Sequence, residues 1–348
     1  MTESDLRFRT YTGEADLALL LDLNLSSRKA DADPTPVSVE SIAEVLASME
    51  GLTPAQGVVI AYLAGEPVGY SRLGWYTSRP ENRLYFQISF LRQEYRQSGL
   101  WPALVAENER RLLVLDDGNP PVKERFFQAW AAEYQHDWTA ALQSSGYQAA
   151  RRFNNMLFQL SEDIPSLPLP VGLEAHPALP EQMRMVWEAQ KEFNAGLFEN
   201  VDLDWLEERY PAWLVNPENR PDFWQLAWDG SQLAGMMLAR PGAAEKRPRR
   251  GYTEHIYVRP GWRGRGLASA LISRSLQALK AAGMDEAELG VDSQNESAAY
   301  RLYENLGYKT FSVDTWFRKA ITNRGSRAAG LPGCRAELSQ FNPAFTSK

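Results

Sequence analysis

Cysteine is almost missing from this chain, with Cys334 the only one in 348 residues. That excludes an intrachain disulfide and any zinc site built from cysteines, and it fits a reducing cytoplasm. Histidine is nearly as scarce. His136, His176 and His255 stand far apart without metal-ligand spacing, so no metal is assigned. Excess positive charge is absent too: a formal net charge of −7 argues against a protein that grips nucleic acid through its phosphates. No apolar run approaches the ~18 residues of a membrane span, and the first residues lack the basic and apolar segments of a signal peptide. A soluble, cytoplasmic protein with neither a nucleic-acid nor a membrane partner is expected. Apolar residues, by contrast, make up 44% of the chain and include 11 tryptophans, so there is ample material for a core. The length suits two domains of ordinary size.

The chain repeats itself. Val58-Val-Ile-Ala-Tyr-Leu-Ala-Gly-Glu-Pro-Val-Gly69 is an apolar run, a turn and a second run, and Phe223 to Gly235 follows the same plan with Asp229-Gly230 as the turn. Both read as antiparallel hairpins. After each comes a β-rich run (Tyr85 to Leu91; His255 to Val258), then Arg96-Gln-Ser-Gly-Leu-Trp101 or Arg263-Gly-Arg-Gly-Leu-Ala268, then an amphipathic helix. Leu142-Gln-Ser-Ser-Gly146-Tyr147 finally matches Tyr303-Glu-Asn-Leu-Gly307-Tyr308. Matched glycines lie about 160 to 170 residues apart, a domain's length. A duplicated domain is implied: a first copy over 1–160, a second over 172–319, and between them the proline-rich stretch 161–171, read as an extended connector. Residues 320–348 lack periodicity and read as a C-terminal extension without chemistry.

In the second copy the strand pattern from Tyr252 to Val258 feeds Arg259-Pro-Gly-Trp-Arg-Gly-Arg-Gly266, which opens onto a helical pattern from Leu267 to Ala282. A helix start offers backbone N–H groups without internal partners together with partial positive charge, and glycines let a phosphate come close. Arg263 and Arg265 add charge. Taken alone, such a loop is equally a tight connection.

Residues 256 to 268 and 295 to 308 together resemble the pyrophosphate-binding and C-terminal motifs of the GNAT acetyltransferase superfamily. The resemblance implies an α/β (α+β) fold of two tandem GNAT domains, each a mixed, mostly antiparallel sheet flanked by helices. In the second copy, parallel strands at about 252–258 and 286–292 would splay to admit acetyl-coenzyme A as co-substrate. It further implies that backbone at Ile256, Tyr257 and Val258 pairs with the pantetheine arm. Amides of Arg263, Gly264, Arg265, Gly266, Leu267 and Ala268 would hold the pyrophosphate. Asn295 would contact the cofactor, or cap the helix that follows it. Tyr303 would be the general acid, since a phenol of pKa ~10 can protonate a departing thiolate whose thiol pKa is near ~8.5; the alternative is that Tyr300 and Tyr303 are core aromatics one helical turn apart.

Glu254 shares the parity of Ile256 and Val258 and is the expected base, with His255 on the opposite face of a regular strand; a bulge there exchanges them. The basic run Lys246 to Arg250 rims the site or is a solvated loop.

The first copy departs from the pattern where it matters. Gln97, Trp101 and Pro102 replace Gly264, Ala268 and Ser269, and Leu142 replaces Tyr303. A non-catalytic first domain is therefore expected. The resulting expectation is an N-acetyltransferase acting on a primary amine of a small molecule, as a monomer or homodimer. Two rivals are a non-catalytic acyl-coenzyme A-binding module and an aminoacyl transferase of the tandem-GNAT kind.

Overall fold

The computed structural model describes residues 5–33, 36–49, 51–79, 81–197, 203–242, 248–293 and 299–322. The chain forms two compact units. The first comprises the residues up to Arg151 together with the strand residues from Asp314; the second runs from Arg152 to Val313.

Unit 1 contains β1 (Leu6–Thr10), α1 (Leu17–Asp31), α2 (Val39–Ala47), α3 (Pro54–Gly57), β2 (Val58–Leu63), β3 (Glu66–Arg79), β4 (Asn82–Leu91), α4 (Leu100–Asp117), β5 (Glu124–Ala132) and α5 (His136–Ser144). β1 to β4 pair antiparallel in sequence order. β4 and β5 run parallel, in register from Asn82 with Glu124 to Gln87 with Ala129. One sheet face buries Leu20, Leu23, Ile60 and Tyr70 beneath α1 and α2; the other buries Leu104, Leu112, Phe127 and Trp138 against α4 and α5.

β6 (Gln148–Gln159) passes from unit 1 into unit 2. There follow β7 (Glu174–Ala175), α6 (Met183–Leu197), α7 (Leu203–Glu207), α8 (Tyr210–Leu214), β8 (Gln225–Asp229), β9 (Gln232–Pro241), β10 (Arg250–Val258), α9 (Leu267–Ala281), β11 (Glu286–Asp292) and α10 (Arg301–Asn305), before β12 (Lys309–Ala320) returns to unit 1. The predicted hairpin is β8–β9, and the predicted parallel strands are β10 and β11. α9 places Leu271, Ile272, Leu276 and Leu279 in the unit 2 core with no solvent exposure, each contributing roughly 1.5–3 kcal/mol of apolar burial.

The units divide the chain differently from the expected 1–160 and 172–319. Phe153 to Gln159 of β6 pair antiparallel with β11 inside unit 2, whereas Asp314 to Ala320 of β12 pair antiparallel with β5 inside unit 1. Each unit thus takes its last strand from the far half of the sequence. A strand's own pattern reports which of its faces is buried but not which neighbour it pairs with, so the exchange leaves no local mark. The proline-rich stretch packs against unit 2. Ile164, Leu167 and Leu169 pack on the unit 2 core, and the Ser273 hydroxyl donates to the Pro165 carbonyl.

Candidate functional site

In unit 2 the parallel pairing of β10 with β11 covers only Arg250 to Tyr252 against Glu286 to Glu288. Beyond it β10 stays with β9 as far as Val258, and β11 stays with β6 as far as Asp292. The strands therefore part, and among the described residues no strand pairs with that edge of β10 past Tyr252, the arrangement into which an extended ligand adds. Ile256, Tyr257 and Val258 lie on this edge. The closed end is pinned by Arg250, 2.9 Å from Glu286 and 2.7 Å from Glu288. Thr253 sits where the strands part, its hydroxyl within 3.2 Å of the Glu288 carbonyl and 2.9 Å of the Tyr308 hydroxyl.

Past Val258 the chain makes a single 3-10 turn over Pro260–Trp262 and enters α9 through Gly264 (φ +72°) and Gly266 (φ +81°). These left-handed conformations favour glycine. A Cβ at either position would meet no atom within 4 Å, so the backbone here borders open space. The first helical N–H bond runs from Ala270 to the Gly266 carbonyl, leaving the amides of Leu267, Ala268 and Ser269 as a ready anion site. The Trp262 indole ties the loop to Asp229 at 3.1 Å. Arg265 is exposed. Arg263 instead turns back: its Nε donates to the Val258 carbonyl at 2.8 Å. That bond ties the loop to the end of β10.

β10 carries a bulge. Thr253 pairs with Ala239 and His255 with Leu238, so Glu254 is the extra residue. The expected common parity of Glu254 with Ile256 and Val258 does not hold. Ile256 and Val258 pack on the α9 side, whereas Glu254 is bound by Arg240 at 3.0 Å and His255 meets Phe193 of α6 edge-on, ring centres 5.6 Å apart. Both therefore face α6. His255 Nδ1 is shielded from water and has no hydrogen-bond partner among the described residues.

Tyr303 lies on α10, 6% exposed, edge-on to Tyr308 at 5.9 Å. Burial raises its phenol above the ordinary value of 10, so it stays protonated through the neutral range. Asn295 and Lys246 lie outside the described residues. Among the described residues no group of histidine, cysteine or carboxylate side chains is placed to hold a metal, and no helix is long and apolar enough to cross a membrane.

Composition and motif spacing passed over one feature. On α6, Trp187 (1% exposed), Gln190 (5%) and Asn194 (3%) bury polar atoms that have no partner among the described residues: Trp187 Nε1, Gln190 Oε1 and both amide atoms of Asn194. A buried polar group left unpaired costs about 1–3 kcal/mol. Its only sequence signal is neutral amides at positions where the helix repeat asks for apolar residues.

The corresponding loop of unit 1 carries different side chains. Trp101, at the position of Ala268, is 4% exposed and donates its indole N–H to Asp137 at 3.0 Å. Arg96, at the position of Arg263, is bound by Asp31 and Asp137 at 2.9 and 2.8 Å. Pro102 removes an amide from the first turn of α4. Leu142, in the place of Tyr303, is wholly buried.

A parallel strand pair that splays beside a glycine-opened helix start is the arrangement that the resemblance to the GNAT acetyltransferases implied. Residues 184–308 match the acetyltransferase (GNAT) family, and this domain of the chain belongs to it. A mycothiol acetyltransferase of Streptomyces scabiei is 29% identical over 63% of this chain and 65% of its own length. One from Streptomyces coelicolor is 27% identical over 76% of this chain and 80% of its own. The chain spans less than two thirds of the Streptomyces scabiei relative. A GCN5-related N-acetyltransferase from Sphaerobacter thermophilus superposes with a TM-score of 0.72 at 24% identity, covering 92% of this chain and 97% of that one. A tandem GNAT protein from the clavulanic acid biosynthesis pathway covers 90% and 98%, with a TM-score of 0.63 at 14% identity. The chain shares its fold with both.

Proposed function

We propose that the chain transfers an acetyl group from acetyl-coenzyme A to a primary amine of a small molecule, directly in a ternary complex, at unit 2 alone. The observation that carries this reading is the contrast between two matched loops. The α9 start keeps the amides of Leu267, Ala268 and Ser269 ahead of its first helical bond, while the α4 start lacks an amide at Pro102 and has its arginine, Arg96, bound by the carboxylates of Asp31 and Asp137. Pyrophosphate binding needs the former.

On this reading the free edge of β10 at Ile256 to Val258 holds the pantetheine arm, and the amides from Gly264 to Ala268 hold the pyrophosphate. The amine attacks the thioester carbonyl and the carbon–sulfur bond breaks. Tyr303 then gives its proton to the departing thiolate. Glu254, fixed by Arg240, takes the proton lost by the amine. Support for an amine acceptor comes from the mycothiol acetyltransferase relatives and from a phosphinothricin N-acetyltransferase of Streptomyces coelicolor, 31% identical over 30% of this chain.

The test is calorimetric titration of the intact chain with acetyl-coenzyme A, followed by thiol release in the presence of a panel of amines. The intact chain is required because each unit borrows a strand from the other half. One site per chain and amine-dependent thiol release are expected; no binding would overturn the reading.

A further inference from the structure

We infer that unit 1 has a binding site of its own, independent of what unit 2 does, for a small organic monocarboxylate with an aromatic body, built around Arg72 on the sheet face that carries α1.

Arg72 lies on β3 in register with Ile88 of β4. Two residues from Tyr70, it shares the face on which Tyr70 packs beneath α1. Among the described residues its guanidinium has no ion pair and no hydrogen bond; the Tyr70 phenol and the Arg28 guanidinium are the ionisable groups that act on it. Arg28 repels it and is itself engaged, Nε with Asn24 at 2.5 Å and Nη1 with Asp33 at 2.6 Å. Burial lowers the Arg72 pKa from 12.5, with Tyr70 opposing and Arg28 reinforcing, yet an arginine keeps its proton. A half-buried cation beside a second cation, without a counter-ion, costs stability that a bound anion would restore. The fold does not require the charge. Arg72 stands three residues past Gly69, and three past the matched Gly235 stands Leu238, apolar and 6% exposed.

Water reaches this place. β5 stays with β4 only as far as Gln87 with Ala129, so the strands part at the row of Ile88, beside Arg72. Phe86, Ile88 and Phe90, on the α1 face of β4, keep part of their surface in solvent there, as do Trp130 and Arg72. Rings stand on both sides of the guanidinium along the sheet. Phe90 stacks on Tyr70 at 4.7 Å. Phe86 covers Gly74, where a Cβ would come within 2.3 Å of the ring, and meets Trp130 edge-on at 5.7 Å.

This chemistry narrows the ligand. One free guanidinium balances one negative charge, and its planar fork matches a carboxylate through two parallel hydrogen bonds. A phosphate carries more charge than one cation balances. The flanking rings suit a flat apolar body, stacked or edge-on.

The experiment titrates the intact chain with phenylacetate, with its neutral isostere phenylacetamide and with inorganic phosphate, followed by ligand-observed NMR. It is repeated on Arg72→Met and Arg72→Lys. The wild type is expected to bind phenylacetate at least about tenfold more tightly than either of the others, as a charge-assisted pair does over a neutral one. Arg72→Met should bring phenylacetate down to the level of the amide, while its melting temperature holds or rises because an unbalanced charge has gone. Arg72→Lys keeps the charge but loses the fork, and should weaken phenylacetate by about tenfold; it supplies the same test should Arg72→Met not fold. Affinity for acetyl-coenzyme A should be the same in wild type and variants. Absence of phenylacetate binding, equal binding of acid and amide, a preference for phosphate, or phenylacetate binding unaltered in the variants would each overturn the inference.

Discussion

Trp101 Nε1 donates to Asp137 Oδ2 across 3.0 Å, and that bond fixes a buried indole in the first turn of α4 where the first turn of α9 has only Ala268. The contact belongs to a larger lock. Arg96 binds the same carboxylate, and its guanidinium lies 5.3 Å from the Trp101 ring centre. Burial pushes the Asp137 carboxyl up, but the hydrogen bonds from Trp101 and Arg96 outweigh it and hold the group below its ordinary 3.8.

The lock makes the count of ligand sites insensitive to Trp101 itself. Trp101→Ala leaves Pro102 in the first turn and Arg96 engaged, so calorimetry should still find one acetyl-coenzyme A per chain. The variant should lose about 3–5 kcal/mol of stability in urea unfolding, the usual cost of removing a buried tryptophan. A second binding event would show that the indole alone closes unit 1.

Gly266 and Gly99 form a matched pair for separating strain from function. Both cap a long helix with left-handed backbone, φ +81° and +78°, and a Cβ on either would meet nothing within 4 Å. Alanine at each should cost about 1–2 kcal/mol through backbone strain alone. Only Gly266→Ala should weaken acetyl-coenzyme A, because only there would the methyl group occupy space meant for a phosphate. Equal affinities in the two variants would move the pyrophosphate away from α9.

How far the sequence carried the structure follows from what a local pattern encodes. Alternation and turn chemistry marked β8, β9, β10 and β11, and the glycine spacing marked the start of α9, since each depends on residues close in the chain. The exchange of β6 and β12 was not legible, because pairing partners are chosen by surfaces over a hundred residues apart. The bulge at Glu254 escaped for a related reason: register is shared between two strands, so parity read from one of them fails at a single inserted residue. The turn-back of Arg263 onto Val258 depends on where the strand end and the loop meet in space. The polar stripe on α6 was passed over because three neutral side chains resemble no motif until their burial is known.

Tyr303 should behave as a proton donor that never runs short of its proton. Its burial keeps the phenol above 10, so kcat should show no fall between pH 7 and 9 that depends on this residue. Tyr303→Phe keeps the ring that packs on Tyr308 and should bind acetyl-coenzyme A as the wild type does. Its kcat should drop by about 10²–10⁴, the span of general acid catalysis. Unchanged turnover would return Tyr303 to the role of a core aromatic.

His255 should add a pH dependence to the stability of unit 2. Burial of its ring lowers the imidazole pKa below 6.5, opposed by the nearby Glu254 carboxylate and reinforced by Arg240. From α6 it faces Phe193, which brings no charge. As the pH falls through 6.5 the unfolded chain takes up this proton first, so the folded state loses stability until its own lower pKa is reached, and nothing further is lost below that. Urea midpoints of the wild type should therefore decline between pH 7.5 and 5.5 more steeply than those of His255→Gln, which has no proton to gain. Parallel declines in the two proteins would mean that the imidazole is hydrated and that the gap between α6 and β10 admits water.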